Sequence, residues 1–167
     1  ARYRSKVLGE FTEDGTGNKL FTQLALARAI GNDLLPSDES RPVLGVDVAR
    51  FGGDYTTVYS YQEGQLRLVD KWQKADTVES SKKIHEWAIR LAVTEVRVDS
   101  IGIGAGVYDQ LKVLADNEYH IIGMAGNGES PDINKWANSR AYWFDTLREK
   151  MFTHRIDMEY EDFTLKS

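Results

Sequence analysis

Two aspartates stand where strands should end. Asp47 closes the apolar run Val43-Leu44-Gly45-Val46 and opens the loop Val48-Ala49-Arg50-Phe51-Gly52-Gly53-Asp54. Asp99 closes a second β-type run, Glu95-Val96-Arg97-Val98, and opens the glycine-rich loop Ser100-Ile101-Gly102-Ile103-Gly104-Ala105-Gly106. Acids at the ends of two strands can meet at one edge of one sheet. Side-by-side carboxylates repel, and a divalent cation relieves the repulsion. Carboxylates bind hard ions and stay ionised at neutral pH, so the expected chemistry is metal-dependent hydrolysis of a phosphodiester. A lone aspartate at a strand end is ordinarily a turn or cap residue. An acid closing an apolar central strand is costly without a partner, and the pairing tips the reading toward a metal site.

The other chemistry-bearing residues carry weaker signals. Asp54 follows Gly52-Gly53 and reads either as a third acid near the metal or as the polar residue of the turn. Gly102, Gly104 and Gly106 do not form a Walker pattern, because no Gly-Lys-Ser/Thr ends the loop. They read as tight turning into a helix, or as room for a DNA backbone beside helix amides. Arg50, Lys71, Lys74 and Arg140 are candidates for phosphate contact, although surface cations usually serve only solvation. Trp136, Tyr142, Trp143 and Phe144 crowd what reads as one helix, where core packing explains them better than base stacking.

The bulk numbers bound the possibilities. The chain has 167 residues and a net charge of −5, enough length for one buried core and the wrong sign for a strong stand-alone DNA binder. A nuclease whose DNA is delivered by another domain remains compatible with that charge. Cysteine is absent, which excludes disulfides and thiolate sites. The three histidines, His85, His120 and His154, are scattered and form no zinc motif. Any metal should therefore be a hard ion on oxygen ligands, Mg²⁺ or Mn²⁺. No apolar run approaches the roughly 20 residues of a membrane span, and no signal peptide is visible, so the expected setting is cytoplasm or host cytoplasm.

The elements must place the two acids together. A short helix is expected over Leu20–Ile30, stopped by Gly31-Asn32-Asp33, and Pro36–Pro42 reads as a linker. Strands follow at Val43–Val48, Tyr55–Tyr61 and Gln65–Trp72, the last two joined by the compact turn Glu63-Gly64. Thr77–Val93 switches to helical period, with Ile84, Trp87, Ala88 and Leu91 on one face. Strand Glu95–Asp99, helix Val107–Ala115, strand His120–Met124 and a helix from Asn134 to Met151 complete the order, with Ile156-Asp157-Met158 as a further short strand. The order βββαβαβα predicts an α/β fold with a mixed five-stranded sheet and helices on both faces, the ribonuclease H-like architecture. There the first strand is central and the fourth pairs beside it, which puts Asp47 and Asp99 one strand spacing apart, about 5 Å.

Three blocks, VLGVDVARFGGDYTTVY, VRVDSIGIGAGVYDQLK and NSRAYWFDTLREKM, resemble the nuclease domain of large terminase subunits of tailed phages and prophages, over Val43 to Met158. The leading RYRSKVLGEF resembles the segment that joins the ATPase domain to the nuclease in that family. The resemblance implies a Mg²⁺- or Mn²⁺-dependent endonuclease that cuts concatemeric double-stranded viral DNA during packaging. It further implies an ATPase domain on the same polypeptide, with a small terminase subunit and a portal as partners in the host cytoplasm. Carried over by motif, Asp47 and Asp99 are the first two metal-binding acids, and Asn138 and Arg140 match an asparagine-arginine helix start. The family's third acid lies on a later helix, beyond the point where this chain stops. Residues 1–41 are accordingly expected to be an extension from an ATPase domain, and 42–167 a nuclease domain cut at its C-terminal end. Asp145, on the last helix, is the stand-in candidate for the third acid. Two other readings are a non-catalytic docking module of the same fold and an ATP-handling, actin-like phosphotransferase fragment.

Overall fold

The structure is a computed structural model that describes residues 21–49 and 53–159. Its centre is β1 (Val43–Asp47), whose alternate residues Leu44 and Val46 are buried. β2 (Thr56–Gln62) and β3 (Gln65–Trp72) form a hairpin with β1 to make an antiparallel meander. Glu63 and Gly64 turn that hairpin, both at positive φ (46° and 96°), the geometry that matches the twist of two paired strands.

In chain order the helices are α1 (Gln23–Ala29), α2 (Thr77–Arg90), α3 (Ile103–Ala115) and α4 (Ser139–Phe152). The remaining strands are β4 (Glu95–Asp99), β5 (His120–Met124) and β6 (Asp157–Met158). The sheet is six-stranded, in the order β5-β4-β1-β2-β3-β6. β4 lies parallel to β1, and β5 parallel to β4, the last two joined by the α3 crossover. The predicted mixed sheet with helices on both faces is therefore present, and the short segment at Ile156–Met158 supplies a sixth strand, parallel to β3.

α2 and α3 pack on one face. Ile84, Ala88, Val107 and Leu111 meet Leu44, Val46, Val58, Val96 and Val98 in one apolar cluster. Full burial of each such aliphatic side chain stabilises by about 1.5–3 kcal/mol, so the ends of β1 and β4 are held rigidly from this side. On the other face α1 and α4 share a second cluster, in which Ala25 and Ala29 meet Met151, Ile156 and Met158. The helix before Pro42 thus shares a core with the last strand. Among the described residues no helix is long and apolar enough to cross a membrane.

Two helix starts differ from the sequence reading. α3 begins at Ile103, a turn before the expected Val107, because its glycines are inside the first turn rather than in a loop before it. α4 begins at Ser139 rather than Asn134, because the Asn138 side chain accepts the Ala141 N–H at 2.9 Å and caps it. Trp136 accordingly stands in the preceding loop, not on the helix with Tyr142, Trp143 and Phe144.

The second cluster is closed by a polar knot. Arg67 on β3 donates to the buried Asp157 carboxylate at 2.5 Å, and the Asn32 N–H donates to its other oxygen at 3.0 Å. Burial pushes the Asp157 carboxyl up, but these donors outweigh it and hold the carboxyl below its ordinary range. A carboxylate lowered on folding stabilises the fold above its unfolded pKa, near 3.9, and loses that contribution as pH falls through its lower folded value. Asp157→Asn should therefore cost about 3 kcal/mol at neutral pH in urea unfolding, and its deficit against the parent should shrink below about pH 4. An equal deficit at pH 3 and pH 7 would contradict this assignment.

Candidate metal centre

The apolar strand β1 ends in an acid because its last residue emerges from the core. Val46 is 6% exposed, whereas Asp47 beside it faces solvent. β1 and β4 run in register, Val46 beside Val98, so the next residue on each strand is the aspartate. Parallel neighbours in register share a face, and Asp47 and Asp99 stand side by side at one sheet edge, about one strand spacing apart. The structure brings together the two acids that the sequence nominated.

The electrostatics agree with that placement. The Asp47 carboxyl is pushed up, first by partial burial, then by the negative charges of Asp99 and Asp54. Asp54 therefore also lies within reach of this field, on an exposed position just before β2. The surrounding backbone is fastened. Thr56, 4% exposed, accepts the Ala49 N–H at 3.1 Å and pins the start of the loop after Asp47. Asp99 accepts the Ile101 N–H at 3.0 Å through one oxygen, which orients the carboxylate and leaves its other oxygen available. Arg50 lies outside the described residues.

Gly104 explains why this loop needs glycine. A Cβ there would collide with the Asp99 carbonyl oxygen, so the first turn of α3 rests directly on the backbone of the acid. Gly102 caps α3 at φ 69°, a left-handed conformation that a side chain would strain. The sequence reading left the glycine signal open between turn and DNA approach; the contact shows close helix–strand packing.

Asp145 is placed differently. It lies within α4, where Trp136 Nε1 donates to it at 3.0 Å and Arg148 at 2.6 Å. Those hydrogen bonds, the Trp136 one foremost, hold its carboxyl below the usual range. It does not contribute to the field at Asp47, whose charged neighbours are Asp99 and Asp54. Among the described residues no set of three His, Asp or Glu is already gathered as a ligand cage.

The antiparallel register adds residues that patterns in the sequence did not single out together. Asp47 pairs with Thr57, and Thr57 with Lys71. Directly opposed residues point to one face, so Asp99, Asp47, Thr57 and Lys71 form one row. Lys71 lies over the exposed Tyr55 ring at 5.7 Å. Tyr55, read in the sequence only as the first residue of a strand, stands just before β2. An all-oxygen donor set with mutually repelling charges fits a hard divalent cation, which would be held by Asp47 and Asp99 with Asp54 nearby.

No family model matches the chain, and no curated protein matches it in sequence. Solved structures do match its fold. The nuclease domain of the large terminase subunit gp2 of bacterial virus Sf6 superposes with a TM-score of 0.74 at 14% identity, over 85% of this chain and 74% of that one. A mutant of that domain with manganese and β-thujaplicinol gives 0.74 at 14% identity, over 88% and 76%. The large terminase nuclease from thermophilic phage G20c with bound magnesium gives 0.61 at 15% identity, over 85% and 74%. The chain thus has the fold of the terminase nuclease domains that its motifs resemble.

Two outcomes follow from the geometry. A carboxyl raised on folding favours the fold at low pH and loses that contribution as pH rises through its folded value, so ionised Asp47 opposes folding at neutral pH. Asp47→Asn should raise the melting midpoint at pH 7 without divalent ions. Mn²⁺ at about a hundredfold its Kd should raise the parent's midpoint by roughly 5 °C or more, and the variant's much less. Equal Mn²⁺ shifts in both proteins would contradict a site on Asp47. Gly104→Ala, which an ordinary helix would welcome, should destabilise by about 1–3 kcal/mol in denaturant unfolding, because α3 must lift off Asp99; a gain in stability would refute the close packing.

Proposed function

We propose that this chain is a metal-dependent endodeoxyribonuclease, the part of a phage large terminase subunit that cuts concatemeric double-stranded DNA during genome packaging. The observation that carries this reading is the adjacency of Asp47 and Asp99 at the ends of two parallel, registered strands. The likeness in fold to terminase nucleases, two of them with manganese or magnesium, supports it. On this reading the ions are Mg²⁺ or Mn²⁺, the substrate is double-stranded DNA, and the setting is the host cytoplasm. An ATPase domain on the same polypeptide, a small terminase subunit and a portal would be its working partners.

The residues divide the work. Asp47 and Asp99 present oxygens from a rigid edge, and Asp99 keeps its orientation through Ile101. Two bound divalent ions would polarise the phosphodiester, lower the pKa of the attacking water and stabilise the leaving oxygen. Asp54 adds negative charge to the same pocket and is our choice for a further ligand, directly or through water. Asp145, with its oxygens engaged by Trp136 and Arg148, is assigned to fixing the loop before α4 instead.

A second reading, a docking module that has kept the fold without cleavage, is favoured by one observation, that no three-ligand cage is gathered among the described residues. One assay separates the two. The domain is incubated with supercoiled plasmid and Mn²⁺ beside Asp47→Ala and Asp99→Ala. Nicking by the parent that falls more than about a hundredfold in both variants is the expected result, since even residues behind the ligands can cost that much. Absence of nicking by a folded parent that binds Mn²⁺ would favour the docking module.

A further inference from the structure

The row that contains the acids ends in Lys71 on one side, and Arg140 lies just beyond its other end. Across the sheet it runs Met124, Asp99, Asp47, Thr57, Lys71, one residue from each of β5, β4, β1, β2 and β3. Lys71 is exposed at its β3 end, beside Tyr55. At the β5 end the chain leaves Met124 and reaches Gly126, where the Arg140 N–H donates to the Gly126 carbonyl at 3.0 Å. The Arg140 guanidinium lies against this glycine so closely that a Cβ at 126 would come within 2.8 Å of Nε. Arg140 is exposed, and no ion pair among the described residues involves Arg140 or Lys71. Other basic residues of this protein, Arg67, Arg97, Arg148 and Arg155, have carboxylate partners.

The amides that open α4 are already used. The Ser139 and Arg140 N–H groups donate to the Gly128 and Gly126 carbonyls, and the Ala141 N–H to Asn138. The helix end therefore has no free donors for phosphate in its first three residues, and the charge available at this end of the row is the Arg140 side chain. This gives the asparagine-arginine helix start a role. Asn138 caps α4, and the cap sets Arg140 beside the β5 edge.

We propose that one DNA strand crosses the sheet edge along this row, with Arg140 and Lys71 binding phosphates on opposite sides of Asp47 and Asp99. The inference rests on the nuclease reading and adds the path and the phosphate anchors of the substrate. Four strand spacings, about 19 Å, separate Met124 from Lys71, and Arg140 stands beyond Met124. That span matches about five or six rises of one DNA strand at about 3.4 Å each. The flanking cations offset the net negative charge of the domain where the backbone passes, so DNA is drawn across the acids. Tyr55, beside Lys71, gives an aromatic face where a base can rest.

The test is duplex DNA binding in Ca²⁺ across a salt titration, with Lys71→Gln, Arg140→Gln, Gly126→Ala and the remote α2 variant Lys82→Gln. Each of the first two should make the slope of log K against log salt shallower by about 0.9. Gly126→Ala should weaken binding as Arg140→Gln does, by displacing the guanidinium, and Lys82→Gln should change nothing. Unaltered slopes in Lys71→Gln and Arg140→Gln while the parent still nicks plasmid would overturn the path and leave the nuclease reading intact. Shallower slopes in both with no cleavage by the parent would keep the path and overturn the nuclease. An equal effect of Lys82→Gln would reduce the result to bulk charge and overturn the proposal.

Discussion

Repulsion between two carboxylates at the end of a parallel strand pair is the constraint around which the rest of the molecule is arranged. Left in an unfolded chain, Asp47 and Asp99 would separate at no cost. The fold holds them together because Val46 and Val98, one residue earlier, and Leu44 and Val96, three earlier, are buried on the same two strands. Hydrophobic burial of several kcal/mol outweighs a repulsion that water partly screens. Partial burial first, and then the charges of Asp99 and Asp54, push the Asp47 carboxyl up. A bound cation would turn this opposition into cohesion, which is why a site of this kind is coupled to stability as well as to chemistry.

The supporting parts act on backbone rather than on the carboxylates themselves. α3 leans on the Asp99 carbonyl through a residue without a side chain, and buried Thr56 ties the segment after Asp47 to β2. Both contacts come from the face opposite the acids or from the strand beside them, so the open side of the edge stays clear for a large substrate. The far end of the sheet is fixed separately, by the Arg67–Asp157 knot and the apolar contact of α1 with α4. The row at the acid edge carries charge of both signs, with Lys71 and Arg140 free of ion pairs among the described residues.

The acid pair was legible because each aspartate closes a β-type run and opens a glycine-bearing loop, and the adjacency of the two strands follows from the element order. The hairpin was legible from Glu63-Gly64, whose chemistry demands a tight turn. The starts of α3 and α4 were not. Glycine has poor helix propensity, so Gly104 argued for a loop until its contact with Asp99 showed the packing it serves. Trp136 matches the apolar spacing of α4 by accident, while its ring hydrogen-bonds back to Asp145 from the loop. β6, expected as the short strand Ile156-Asp157-Met158, is present with two residues, and a charge pair 90 positions apart in sequence supports its pairing with β3. The row linking Asp47 to Lys71 depends on pairing that a bulge between Val58 and Tyr59 resets, and no single-chain pattern reveals a bulge.

The central claim is that residues 47 and 99 grip a shared ion. Crystals grown with Mn²⁺ and measured at a wavelength where manganese scatters anomalously address it directly. The account predicts an anomalous peak bridging the two carboxylates, with metal–oxygen distances near about 2.0–2.2 Å. An ordered edge with no peak between Asp47 and Asp99 at saturating Mn²⁺, or a peak held by other residues alone, would contradict it.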